Sequence, residues 1–426
     1  MDRSEQPWVW QDPNWPNFSW DDEALRPYIA RFDSDAAWLS GALEFISGDD
    51  LDSVHIDWLE DESVETAAIE GEALKRDSVR ASLLHYFGLQ ASQHASRAEQ
   101  GMARMAVDAF RTYAQPLTHQ MLWQWHLMLM SSDPTIGTLG AYRSGPDSIA
   151  IVSVRRGRME GGRVHYRGPP GTSVHDEMER FIEWYNREVG QPGRGHLLPL
   201  AGAAHLYFES IHPFEDGNGR IGRALAEKAL SQGLGRPSLI PLSSAIHKRQ
   251  TAYYRALESC KASLDASAWQ TWFADMAIDA LRQGQLRLLR QAEQARLFGQ
   301  LKGQINARQD KALMRLFREE PEGFKGGLSA GNYQAITGAP PATATRDLAD
   351  LVDKGALKKT GRGRYTRYWL NVPRLDRLRS IKVDAELELG PKPRKRPKKR
   401  KGGLALESRN PTLTLSPPGA RNRSNS

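Results

Sequence analysis

Only one cysteine, Cys260, occurs in the 426 residues. A disulfide within the chain is therefore impossible, and a reducing, cytoplasmic setting is the expectation. No run of 18 apolar residues is present, which argues against a membrane-spanning helix. The opening MDRSEQPWVWQDPNW lacks the apolar centre of a secretory signal. Internal repeats and Cys/His clusters with metal-ligand spacing are missing too. The formal net charge of +7 has a local origin. Lys392, Arg394, Lys395, Arg396, Lys398, Lys399, Arg400 and Lys401 supply eight positive charges, and the remainder is close to neutral. The basic balance thus describes a tail and not the folded body.

A chain of this length exceeds one ordinary domain, so two or three are expected. Its most informative stretch is His212 to Arg223, HPFEDGNGRIGR. Upstream, Leu200, Ala203, Ala204, Tyr207, Phe208 and Ile211 recur at helical spacing, with Pro199 suited to a first turn. Downstream, Ile221, Leu225 and Ala229 keep one helix face apolar up to Gly233, a candidate stop. The stretch is therefore a tight loop opening a second buried helix, where free N–H groups and the dipole attract phosphate. Gly217 and Gly219 suit positive φ and close approach of an anion. Arg220 and Arg223, three apart, fall on neighbouring positions of one face and can both grip phosphate oxygens.

The segment resembles the signature of Fic-domain proteins, H-x-F-x-[DE]-G-N-G-R-x-x-R, at every fixed position. That resemblance implies a mainly α fold. Its parts would be a Fic-type helical core, a β-hairpin flap, and here a small C-terminal winged helix-turn-helix domain. It also implies transfer of AMP from ATP to a Ser, Thr or Tyr hydroxyl of a target protein. His212 would then be the general base, since an imidazole is largely neutral at cellular pH. Asp216 would bind Mg²⁺ or Mn²⁺. Gly217, Asn218 and Gly219 would hold the α-phosphate, Arg220 and Arg223 the outer phosphates, and Phe214 would anchor the loop. Upstream, Thr66-Ala67-Ala68-Ile69-Glu70-Gly71 is similar to the family's inhibitory motif [ST]-x-x-x-E-[GN]. A Glu70 carboxylate paired with Arg223 would occupy the cation meant for the γ-phosphate. Removal of AMP from a modified protein using Glu70, and a DNA-bound regulator with a nucleotide-sensing core, are the alternatives.

The domain plan runs as follows. Residues 1–95 form a tryptophan-rich segment with the inhibitory helix, similar to a segment that precedes the core in some Fic proteins. Its Trp8, Trp10, Trp15 and Trp20 are expected to pack against the core. Residues 96–285 form the catalytic core. Within them, helices span 77–130, with Asp77 a candidate cap and His126 a core histidine. Ser148–Val154 and Val164–Tyr166 read as a hairpin. By resemblance this is the flap over the nucleotide, whose edge holds the target segment as an added strand. Tyr253 and Tyr254 resemble a pair that walls the adenine site. Residues 286–305 read as a connector helix and 306–375 as the winged-helix-like domain. There Arg346 is placed to contact DNA, with Arg362 and Arg364 on phosphates from the wing; dimerisation is the other use of such a domain. Residues 376–426 read as a basic, disordered tail attracted to polyanions.

Overall fold

The computed structural model describes residues 7–44, 46, 48–89, 95–153, 163–189, 197–319, 324, 326–372 and 413–414. The chain is mainly helical and divides into two compact units, residues 1–282 with 407–426, and residues 283–406. Among the described residues no helix is long and apolar enough to cross a membrane.

The first unit starts with α1 (Asp22–Leu43), opened by Asp21, whose carboxylate accepts from Ala24 N at 3.0 Å. Helices α2 (Gly48–Ile69) and α3 (Arg76–Tyr86) follow. Asp77 lies inside the first turn of α3 and is not its cap, because Lys75 holds that position. A negative charge one turn in still complements the helix dipole. Next come α4 (Arg97–Arg111), fixed by a reciprocal capping box between Ser96 and Glu99, and α5 (His119–Met130), capped by Thr118. Strands β1 (Ser148–Ser153) and β2 (Arg163–Pro170) pair antiparallel, with Ile151 opposite Tyr166. The Gly-rich connection between them lies outside the described residues, as does the basic run 392–401.

Then follow α6 (Gly171–Glu188), α7 (Leu197–Ile211), α8 (Asn218–Leu234), α9 (Leu242–Lys248), α10 (Gln250–Ser259) and α11 (Ser267–Gln300). Twelve of the fifteen residues of α7 are buried, as its nearly unbroken apolar sequence demands. Helix α8 packs along α7 and runs past Gly233 to Leu234. Gly235, at φ 67°, takes the left-handed cap, so the stop falls two residues beyond the expected one. Its buried face also carries charge, and buried charge requires partners. Lys228 satisfies this by donating to the carbonyls of Thr112, Tyr113 and Gln115 just past the end of α4. Burial lowers its ammonium to about 8.

The tryptophans of the N-terminal segment are fastened to this scaffold. Trp10 Nε1 donates to the Arg167 carbonyl at 2.8 Å, and Trp8 meets Tyr166 edge-on at 5.6 Å. Trp15 Nε1 donates to Glu177 at 2.9 Å while its ring packs on Tyr207. Trp15 thus buries its ring and satisfies its N–H, the usual condition for a buried tryptophan, and Trp10 satisfies its N–H while half-buried.

The second unit contains α12 (Ala307–Arg318), α13 (Ala330–Thr337), α14 (Pro341–Asp353) and the antiparallel pair β3 (Leu357–Thr360) and β4 (Arg367–Leu370). Its own core includes Leu313, Phe317, Leu328, Tyr333, Leu348 and Leu351. Asp347 is buried and accepts from Arg308 Nε at 2.9 Å and from the Tyr333 hydroxyl at 3.0 Å, which ties α14 to α12 and α13. A final two-residue strand, β5 (Leu413–Thr414), pairs with β1 in the first unit.

Candidate active site

Four elements meet at the loop from His212 to Gly217. Helix α7 delivers His212 at its C-terminal end and α8 begins at Asn218, so the loop is short and tightly held. Phe214 is fully buried and stacks on His126 at 4.3 Å, which contributes roughly 1.5–3 kcal/mol of apolar burial. His126 is the core histidine expected; burial lowers its imidazole to about 4, and its Nδ1 accepts from Gly140 N. The Asn218 side chain spans the loop, accepting from Phe214 N and donating to Phe214 O, both at 2.9 Å. That side chain thus ties the loop together.

Arg143 closes the loop from the other side. Its Nε donates to the His212 carbonyl at 2.8 Å and its Nη2 to the Ile211 carbonyl at 3.1 Å, capping the last turn of α7. Burial lowers this guanidinium to about 10. The clamp coincides with backbone strain: His212 sits at φ 52°, in the left-handed region that side-chain-bearing residues avoid. Such a conformation costs on the order of 1–3 kcal/mol and concentrates at functional positions.

The cleft in front of the loop measures about 320 Å³. Glu70, His212, Asp216, Asn218, Gly219, Tyr253 and Tyr254 all line it, as do Tyr166 of β2 and Glu209 of α7. Gly217 takes φ 80° to turn the chain into α8. Asp216 is about half exposed, accepts from Gly217 N, and stands 3.8 Å from Arg220. One accessible carboxylate facing a phosphate site suits Mg²⁺, which usually binds through one or two carboxylates plus substrate phosphates. Tyr253 is buried and its hydroxyl lies 2.9 Å from His205 Nε2, whereas the Tyr254 hydroxyl reaches the Ile69 carbonyl at the end of α2. Gln250 donates to that same carbonyl at 2.7 Å.

Both arginines of α8 are held by the end of α2. Arg223 is 2% exposed. Its Nε donates to Thr66 Oγ1 at 2.7 Å, and its Nη2 to the Thr66 carbonyl at 3.1 Å and to Glu70 Oε1 at 2.7 Å. Burial alone would lower its guanidinium, but the Glu70 charge and hydrogen bond raise it above the ordinary value. The approach depends on Gly219, where a Cβ would come within 2.3 Å of Glu70 Oε1. Arg220 is held likewise, by Glu72 at 2.9 Å. The pairing of Glu70 with Arg223 was legible in the sequence. Those of Glu72 and Arg143 were not, because each is a lone polar residue whose partner no local pattern announces. Arg346, Arg362 and Arg364 lie in the second unit, exposed on α14 and between β3 and β4.

Comparison with known proteins places this site. The profile of the Fic/DOC family matches residues 116–230, and that of a domain of unknown function (DUF4172) matches residues 8–89. The chain carries a Fic/DOC family domain, with the loop from His212 to Gly217 inside it. Among curated relatives it is similar to the protein adenylyltransferase Fic of Drosophila mojavensis, 32% identical over 111 residues, 25% of this chain and 21% of that one. The protein adenylyltransferase Fic of Drosophila grimshawi is 35% identical over 99 residues, 23% of this chain and 18% of that one. The chain thus matches about a fifth of the length of these relatives. Among solved structures, a Fic family protein from Desulfovibrio desulfuricans is 21% identical, with 83% of this chain and 98% of that chain covered and a TM-score of 0.47.

Proposed function

We propose that the chain is a protein adenylyltransferase, moving AMP from ATP to a hydroxyl side chain, and that Glu70 restrains it by holding Arg223. The observation that carries this reading is the convergence on one cleft of His212, Asp216, the N-terminus of α8 and Glu70, the carboxylate that holds Arg223. The triphosphate lies along the start of α8, where backbone N–H groups at 217–219 meet the α-phosphate. Preorganised donors of this kind each lower the barrier by about 2.7–4 kcal/mol. His212 takes the hydroxyl proton as that oxygen attacks the α-phosphorus. The bond to pyrophosphate breaks, and Arg220 and Arg223 hold the departing group. Asp216 would hold Mg²⁺, which supplies charge neutralisation on the phosphates. Arg223 can serve the outer phosphates only when Glu70 has left it.

The test compares ATP labelled at the α- or the γ-phosphorus, using wild type, Glu70→Gly and Glu70→Gly/His212→Ala. Label from the α position alone should appear on protein, strongly with Glu70→Gly and not with the double variant, while ATP affinity is little changed by His212→Ala. Transfer of the γ label would exclude AMP transfer. Release of AMP from modified protein that is lost with Glu70→Gly would favour the reverse reaction.

A second reading concerns residues 306–375. Helices α12, α13 and α14 followed by the β3–β4 hairpin have the order of a winged helix-turn-helix, and Arg346, Arg362 and Arg364 are all exposed. This arrangement supports contact with double-stranded DNA, α14 in the major groove and the wing on phosphates.

A further inference from the structure

The base assigned above lies beside a carboxylate that the reaction scheme leaves unused. Glu209 sits in the last turn of α7, three residues before His212, which follows the helix in the left-handed conformation. Its Oε2 stands 3.6 Å from His212 Nδ1, with the two side chains 11% and 10% exposed. That separation is just outside ordinary hydrogen-bond length, and contacts of this type commonly tighten once substrate is bound. Neither His212 Nδ1 nor Glu209 Oε1 has a hydrogen-bond partner among the described residues.

The carboxylate is built in from α8 as well. At Gly222 a Cβ would lie 2.7 Å from Glu209 Oε1 and 3.3 Å from His205 Nδ1, so a side chain at this position would push the carboxylate aside. His205 in turn meets the Tyr253 hydroxyl at 2.9 Å. The family signature leaves position 222 open and does not reach position 209.

We infer that Glu209 is a positioning residue for His212: it engages Nδ1, turns the Nε2 lone pair toward the cleft, and stabilises the imidazolium formed when the hydroxyl proton arrives. The chemical consequence rests on the AMP-transfer reading; the effect on the ring does not. The charged and titratable groups around the pair are His205 on α7, Arg223 on α8, Glu70 beside α2, and Tyr253 and Tyr254 on α10. Burial alone would raise the Glu209 carboxyl, but the approach of His212 and the charge of Arg223 hold the group below its ordinary value. Burial lowers His205, against the nearby Glu209 charge. A nearby carboxylate favours the protonated imidazole. Removing it must therefore lower the pH at which His212 loses its proton.

The experiment is an NMR titration of the His212 ring in wild type, Glu209→Gln and Glu209→Asp, with His212→Gln used to assign the signal. Glu209→Gln should shift the midpoint down by about one pH unit, and Glu209→Asp should retain most of the wild-type value. In the Glu70→Gly background, the acidic limb of kcat for AMP transfer should move down by the same amount. The plateau kcat should fall about tenfold to a hundredfold, while KM for ATP stays within about twofold. If Glu209→Gln folds poorly, Gly222→Ala displaces the carboxylate without deleting it and should shift the His212 midpoint in the same direction. An unchanged midpoint in the folded variant overturns the inference. Absence of AMP transfer from Glu70→Gly itself would instead overturn the reaction reading, and the titration would still decide the role of Glu209.

Discussion

Arg223 donates to three acceptors, and all of them belong to the last turn of α2 or the residue after it. With Nε and Nη2 so occupied, only Nη1 is left without a partner among the described residues, and the two-pronged grip on phosphate is lost. Glu72 extends the restraint to Arg220, although its side chain is 43% exposed and the pair is correspondingly weaker. Glu72→Ala alone should therefore raise the initial rate of auto-modification by only about two- to fivefold. Arg223→Ala alone should not raise it, because the same change removes the phosphate grip. A rate for Glu72→Ala equal to that of wild type would make the Arg220 contact incidental. At this scale the sequence was readable where a motif fixes residue types at close spacing, as from His212 to Arg223. It was silent on Glu72 and Arg143, which act on partners 148 and 69 positions away. Asn218 shows a third case: the motif names it, and its side chain staples the loop through Phe214.

Helix α2 was only partly legible. Its C-terminal half carries Ile69 and the inhibitory pattern. Its first turns, GDDLDSV, lack the apolar spacing that marks a helix, and so its start at Gly48 had no local signal. Its face toward α8 is polar as well as apolar, since Glu62, Ser63 and Thr66 are buried with Ile56, Leu59 and Ala67. Burial pushes the Glu62 carboxyl up to about 7, against hydrogen bonds from Ser243. Glu227 on α8 is raised too, by burial and by Glu62. For an acid whose value in the folded state exceeds that in the unfolded state, the stabilising contribution is complete below the unfolded value. It is lost as pH rises through the folded one. The α2–α8 contact is thus tightest below about pH 4.5 and has lost this contribution above about pH 7. Glu62→Gln should raise Tm by a few degrees at pH 8 and hardly at pH 5, as read by thermal unfolding at both values. An equal offset at both pH values would refute the assignment.

Charge is divided unevenly along the whole molecule. Residues 283–372 carry sixteen basic and eight acidic side chains, and the run 392–401 adds more positive charge. If this part meets DNA, a chain ending at Arg374 should still prefer one sequence over others, though more weakly than the full chain. Loss of the tail should also flatten the dependence of binding on salt, because fewer phosphate contacts release fewer ions. A tail-less chain without sequence preference at low salt, yet dimeric in solution, would point to association of two copies instead. The central proposal nevertheless concerns the first unit: the end of α2 would hold the proposed transferase site shut through Arg223. The most direct measurement is the initial rate of auto-modification with Mg²⁺-ATP labelled at the α-phosphorus, wild type against Glu70→Gly. A coupling of a few kcal/mol between partly shielded charges predicts an increase of roughly tenfold to a thousandfold, with Glu70→Asp in between. A Glu70→Gly protein no faster than wild type would contradict the account.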